Sequence, residues 1–245
     1  AANQGHATAQ YRVGRCYANG RGVEKDLKKA AEWYEKAASL GAADAQFNLA
    51  ICYKYGKGVQ KDEKKAAEWY EKAAKQGDAS SQYNLAICYK DGDGVAQDEK
   101  KVTYWFEQAA KQGFSNAQYN LGMCYKNGDG VKKDLKVATQ WYEKAAKQCN
   151  PEAQNSMGNH YRTGIGVEKD VKKAVEWYEQ AAKQGHAHAQ YNLGLCYKDG
   201  DGVAQDIKQA AKWFNKAANQ GVAHAQYNLG YCYTNGIGVP QDVKK

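Results

Sequence analysis

Cysteine returns in this chain at a fixed interval. Cys16, Cys52, Cys88, Cys124, Cys196 and Cys232 are 36 residues apart, except for one step of 72 whose midpoint is His160. Trp33, Trp69, Trp105, Trp141, Trp177 and Trp213 keep the same interval. So do Gly20, Gly56, Gly92, Gly128, Gly164, Gly200 and Gly236. A constant period of roughly 20–50 residues marks an array whose units bury their apolar faces only by stacking on their neighbours. The 245 residues therefore read as one elongated array, not as one or two globular domains. Its repeats run 6–41, 42–77, 78–113, 114–149, 150–185 and 186–221, followed by an incomplete repeat at 222–245.

Each period carries two helical patterns. In the first, Ala189, Leu193, Cys196 and Tyr197 fall at i, i+4, i+7 and i+8, on one face of a helix. In the second, from about Asp206 to Gln220, Ala210, Trp213, Ala217 and Ala218 share a face. A G-x-G-V loop joins the two, with residues that tolerate positive φ. Asp26, Asp62, Asp98, Asp134, Asp170, Asp206 and Asp242 stand where a helix N-cap is needed. Gly185 and Gly221 stand where a left-handed residue ends a helix. The expected fold class is all-α, a solenoid of stacked helix–turn–helix repeats. Ala1–Gly5 repeat the A-A-N-Q-G of Ala217–Gly221, so the chain is expected to open on the end of a preceding second helix (1–5) and to close inside another. It is thus expected to be a piece of a longer array, whose uncapped ends would allow end-to-end contact.

The motifs A-x-A-x-x-x-L-G-x-x-Y, G-x-G-V and D-x-x-K-A-x-x-W-Y-x-K-A-A-x-x-G resemble the Sel1-like repeat family, a relative of the tetratricopeptide repeat, over essentially the whole chain. The resemblance implies a right-handed superhelical solenoid whose first helices line the concave face. It also implies a scaffold or adaptor role in protein–protein interaction and no cofactor. Some secreted members have been ascribed β-lactam-related hydrolase activity. They carry two cysteines per repeat, and this chain departs from that pattern. The close likeness between repeats keeps a further alternative open, a consensus-like structural array without a natural ligand.

Composition and motifs argue against other classes. Phase-equivalent cysteines in adjacent repeats should lie roughly 8–10 Å apart, beyond the roughly 7 Å between Cα atoms that a disulfide tolerates. Free, buried thiols are expected, which favours a reducing, cytoplasmic setting over a periplasmic or secreted one. The net charge of +8 is spread among alternating lysines and glutamates, as in Lys172, Lys173, Glu176, Glu179 and Lys183. That is a solvated face, not the one-sided basic stripe of a nucleic-acid surface. No apolar run approaches the roughly 18 residues of a membrane span, so no membrane insertion is expected. His186 and His188 open a helix, where polar residues are ordinary, and a metal role is set aside. His160 would be too far from Cys124 and Cys196 for a nucleophile pair. The glycine pairs follow no strand, so they do not make a phosphate loop. The chain reads as non-enzymatic, with no catalytic, cofactor-binding or metal residues.

The binding surface is found by subtraction. Leu49, Cys52, Tyr53 and their equivalents are expected to pack inward, which leaves three phases of the first helix. Two residues before the leucine stand Tyr11, Phe47, Tyr83, Tyr119, Asn155, Tyr191 and Tyr227. Two residues after it stand Arg15, Ile51, Ile87, Met123, Asn159, Leu195 and Tyr231. One turn further stand Lys54, Lys90, Lys126, Arg162 and Lys198. The second phase varies while the framework does not, and most of its members are large and apolar, as a partner-seeking stripe requires. The basic row favours a protein or extended peptide that is acidic or carboxylate-rich. The opposing reading is that the stripe is core between first helices. The fifth repeat departs most: Cys149 replaces the helix-ending glycine, Pro151 opens the next helix, and Asn155, Ser156, Met157, Asn159 and His160 break the pattern together. Simple drift and a specialised polar pocket both account for it.

Overall fold

The computed structural model describes residues 6–240; the cap expected at Asp242 and the helix end expected at Ala1–Gly5 lie outside them. Among the described residues there are thirteen helices of 13 residues each and no strands. The first helices of successive repeats are α1 (Ala7–Asn19), α3 (Ala43–Tyr55), α5 (Ala79–Asp91), α7 (Ser115–Asn127), α9 (Pro151–Thr163), α11 (Ala187–Asp199) and α13 (Ala223–Asn235). The second helices are α2 (Leu27–Ser39), α4 (Glu63–Lys75), α6 (Glu99–Lys111), α8 (Leu135–Lys147), α10 (Val171–Lys183) and α12 (Ile207–Asn219). Two compact units are formed: Ala1–Ala117 with Gly128–Lys132, and Gln118–Asn127 with Lys133–Lys245. Within each, consecutive helices pack on one another, as in a solenoid.

Loop chemistry sets the helix boundaries. Asp62 has extended backbone, and its carboxylate accepts the Lys65 N–H at 2.9 Å, which caps α4. Its own N–H donates to the Tyr53 carbonyl at 3.0 Å and closes the loop from the preceding helix. Asp26, Asp98, Asp134, Asp170 and Asp206 cap in the same way. The second loop glycine has a different duty. Gly94 sits at φ 71, and a Cβ there would overlap the backbone of Glu63 and Lys64, in the first turn of the preceding repeat's second helix. Gly58 and Gly130 meet Leu27 and Glu99 in the same way. The loop is therefore also a joint. In the fifth repeat Cys149 adopts φ 62, the one non-glycine residue with positive φ among those described, in the place its neighbours give to glycine.

Alanine dominates the core. Ala37, Ala73, Ala109, Ala145, Ala181 and Ala217 are wholly buried, and Leu49, Leu85, Leu121 and Leu193 provide the aliphatic bulk. One expectation needs correcting. Trp213 shares its face with Ala210 and Ala217 in sequence, yet it is only half-buried. The fully buried aromatic of α12 is the next residue, Phe214, and its equivalents Tyr70, Phe106, Tyr142 and Tyr178 behave alike. The indole instead covers the previous repeat's core, as Trp69 and Trp213 do. A lysine one turn on lies over the ring, at 3.7 Å for Lys72 on Trp69 and 4.1 Å for Lys216 on Trp213. An amphipathic stem and a large ring can share a half-wet site that a fully buried ring would exclude.

A buried glutamine links three helices in four of the repeats. Gln82 donates to the Ala74 carbonyl at 3.1 Å and accepts from Gln112 Nε2 at 2.8 Å. Gln46, Gln154 and Gln190 make the same pair of bonds. Full satisfaction makes a buried amide tolerable in an apolar interior.

Candidate functional site

The three first-helix phases come out as a half-buried face, and neither solvent nor core claims it wholly. Phe47, Ile51, Lys54, Tyr83 and Ile87 in the first unit are half-buried, while Lys90 is exposed. In the second unit Tyr119, Met123, Asn155, Asn159, Arg162, Tyr191, Leu195 and Lys198 are half-buried, and Lys126 is exposed. Tyr227 and Tyr231 on α13 are 77% and 56% exposed. The aromatic phase leans on the buried ring of its own repeat: Tyr83 lies 5.7 Å from Phe106, Tyr119 5.6 Å from Tyr142, and Tyr191 6.0 Å from Phe214. Tyr83 also packs on Phe114 at 5.1 Å and Tyr191 on His224 at 6.0 Å, so these rings are only partly open to solvent. Tyr53, expected inside, is half-buried, whereas Tyr89 is buried.

Polar groups on this face are arranged unevenly. Lys54 Nζ lies 3.8 Å from Asp93, and Lys198 Nζ 3.4 Å from its neighbour Asp199. Arg15 lies over the Tyr11 ring at 5.8 Å. In the fifth repeat two of the departures accept hydrogen bonds from framework residues. Tyr178 donates to Asn159 Oδ1 at 2.7 Å, and Asn192 donates to Asn155 Oδ1 at 3.0 Å. Asn155 and Asn159 are therefore hydrogen-bonded at phases where most repeats carry an aromatic and a large apolar side chain.

His160 is 5% exposed, in the cysteine phase. Its Nδ1 is 2.6 Å from the hydroxyl of Thr139, whose proton goes to the Leu135 carbonyl at 2.7 Å. Nδ1 must therefore carry the donated proton. The ring stands edge-on to Tyr142 at 5.3 Å. Burial, with Lys126 as a lesser cause, holds its pKa below the ordinary histidine value, against a raising backbone contact at Ile165. A depressed folded pKa means that this contribution to stability is complete above the unfolded value, near 6.5, and is lost as pH falls through the folded one. His160→Cys, which restores the residue of the other repeats, is expected to lose less stability than the parent between pH 7 and pH 5. Denaturant melts at the two pH values check this; equal losses in both proteins would refute it. His186 is a separate case: its Nδ1 accepts the Ala189 N–H at 3.1 Å and caps α11.

Among the described residues no disulfide joins the cysteines. Burial pushes the Cys52, Cys88 and Cys196 thiols up to about 11, which makes them inert at neutral pH. Cys16 is half-buried and Cys149 exposed, so these two depart from the expected burial. No three His, Cys, Asp or Glu side chains among the described residues converge on a metal position. None of the helices described is long and apolar enough to cross a membrane.

The Sel1 repeat model matches residues 7–41, 43–78, 79–114, 115–148, 151–186, 187–222 and 223–245. The chain belongs to the Sel1 repeat family. Sel1 repeat proteins bind proteins, and their solenoids typically serve as interaction scaffolds. A protective antigen present in uropathogenic Escherichia coli strains, displaying an SLR fold, is 37% identical with a TM-score of 0.92; the match covers 99% of this chain and 52% of that one. This chain thus spans about half the length of that relative. A Sel1 repeat protein from Oxalobacter formigenes is 39% identical with a TM-score of 0.83, over 99% of this chain and 70% of that one. An immunity protein from Pseudomonas aeruginosa is 22% identical with a TM-score of 0.51, over 89% and 82%, and shares the fold. No curated protein matches this Sel1 chain.

Proposed function

We propose that the chain is a non-catalytic interaction scaffold that holds an extended, acidic protein segment along the first-helix face, taken as the concave one. The observation that carries this reading is the division of phases. Ala45, Leu49, Cys52 and their equivalents repeat almost unchanged and are buried. The half-exposed phase running Ile51, Ile87, Met123, Asn159, Leu195 and Tyr231 changes from repeat to repeat. Packing alone would hold such a phase as constant as the core. Lys54, Lys90, Lys126, Arg162 and Lys198 run beside it and favour carboxylates.

The test compares two double variants with the parent, one in each unit: Tyr83→Ala with Ile87→Ala, and Tyr119→Ala with Met123→Ala. Proteins captured from a lysate by the parent are identified by mass spectrometry, and the affinity of the recovered partner is then measured. At least one double variant is expected to weaken that partner tenfold or more, since a few buried anchors carry most of an interface, at roughly 1–2 kcal/mol or more each. Lys90→Glu, which leaves the packing intact, is expected to weaken it as well. If melting collapses while partner affinity per folded molecule is unchanged, the phase is core and the proposal fails.

A further inference from the structure

Between the first and second repeats the surface opens into a cleft of about 260 Å³. Leu27, Tyr34, Ile51 and Cys52 form its apolar floor, and Lys25 and Lys57 stand at its sides. Leu27 is 38% exposed, an aliphatic side chain left facing solvent. No acidic residue lines the cleft. Among the described residues neither lysine is paired with a carboxylate; the Lys57 ammonium lies 5.2 Å from the Tyr55 ring. Burial raises the Tyr34 phenol and the Cys52 thiol, so neither brings a negative charge to the cleft at neutral pH.

The cleft recurs in the second unit, where about 270 Å³ is enclosed over Ile207, Phe214, Tyr231 and Cys232. These residues stand at the phases of Leu27, Tyr34, Ile51 and Cys52, five periods on. Other joints carry different groups at the same phases. Lys54 and Asp93 occupy the phases of Ala18 and Lys57, and their ion pair at 3.8 Å spans the mouth of the next joint. His160 occupies the phase of Cys52, with its larger ring hydrogen-bonded to Thr139 at 2.6 Å across the floor.

The geometry points to the first-unit cleft as the socket for one large apolar side chain of an acidic partner segment, with a neighbouring carboxylate of that segment set between Lys25 and Lys57. The volume lies below the roughly 300–1,000 Å³ of pockets that take a whole small molecule, so a single side chain is the fitting occupant. The charge at the sides selects the sign of the flanking residues. The second-unit cleft has the same outline, but Gln205 and Ile237 stand at the phases of Lys25 and Lys57, and the charge of Lys198 is met by Asp199 at 3.4 Å. It should therefore accept the apolar group with less demand for the acid. This inference rests on the interaction reading above and names the chemistry of the partner.

The experiment uses the full chain and a fluorescein-labelled nonapeptide of aspartate, serine and glycine around one central leucine, followed by anisotropy. Comparison peptides replace the leucine with alanine, or the aspartates with lysine. The variant Ala18→Lys with Lys57→Asp recreates the pair found at Lys54 and Asp93 and should close the mouth. Each peptide change is expected to weaken the tighter binding at least tenfold, and the closing variant to leave only the weaker binding of the second-unit cleft, with the melting temperature of the variant unchanged. Equal binding of the leucine and alanine peptides, or full binding by the closing variant, overturns the assignment. Loss of the captured partner on Tyr83→Ala with Ile87→Ala, while the closing variant keeps both partner and peptide, removes the cleft and leaves the face. Loss on neither removes both.

Discussion

Gly94→Ala is expected to lower the unfolding free energy of the first unit by about 2–5 kcal/mol. Two costs add. A left-handed alanine carries roughly 1–2 kcal/mol of strain, and forcing a methyl into packed backbone adds about 1–3 kcal/mol. The second cost is specific to this position, because the new Cβ would overlap the Glu63 carbonyl in the neighbouring repeat. Gly77 makes the control. It lies at φ 92, and a methyl group there would meet nothing within 4 Å, so Gly77→Ala should show the strain alone. Thermal melts followed by circular dichroism should fall by on the order of 10 °C for Gly94→Ala, and by clearly less for Gly77→Ala. Hydrogen exchange should rise first at the start of α4, where the clash falls. Equal effects from the two substitutions would show that the loop does not act as a joint.

Leu193→Ala is expected to cost about 3–5 kcal/mol in the second unit, toward the upper end for such truncations. The leucine is wholly buried, and its cluster includes Ala174, Ala181, Ala182 and Ala189. Alanines have no flexible side chain to swing into a void. Their backbones are already close, so the cavity should persist. Because arrays of repeats open by parts, a single global free energy is the wrong readout. Amide exchange in α10, α11 and α12, read peptide by peptide, should report the loss. If protection there is unchanged, the site has collapsed and the estimate is wrong.

Much of this molecule is legible in its sequence. The period of the cysteines and glycines matches the thirteen helices of equal length among the described residues. Asp26, Asp62, Asp98, Asp134, Asp170 and Asp206 cap where expected, because capping depends on a local hydrogen bond that spacing alone can locate. Cys149 takes the positive φ its place implies, for the same local reason. What spacing does not reveal is which of two adjacent aromatics goes inside. Trp213 and Phe214 differ by about 100° around a helix, and the choice belongs to the neighbouring repeat, not to the local pattern. Gln82 escapes the pattern because a buried amide looks like surface until its two partners, one in the preceding repeat and one at the end of the next helix, are seen. The first-helix face emerges by elimination, which identifies the phases but not their half-buried state. That state comes from rings such as Phe106 and Tyr142 lying behind them.

The joints also bear on how a molecule of this kind can lengthen. Gly58 receives the end of the preceding repeat's helix, and Gln46 reaches back to Ala38 in that same repeat. Gly94 and Gln82 do the same one period later. Each repeat thus brings both its plug and its socket. Unequal crossing-over between gene segments that gains or drops a whole repeat would leave every surviving junction chemically matched, whereas a shift of even one residue would misalign glycine, glutamine and cap together. The span of surface offered to a partner can then change in fixed steps during evolution without redesign of the fold.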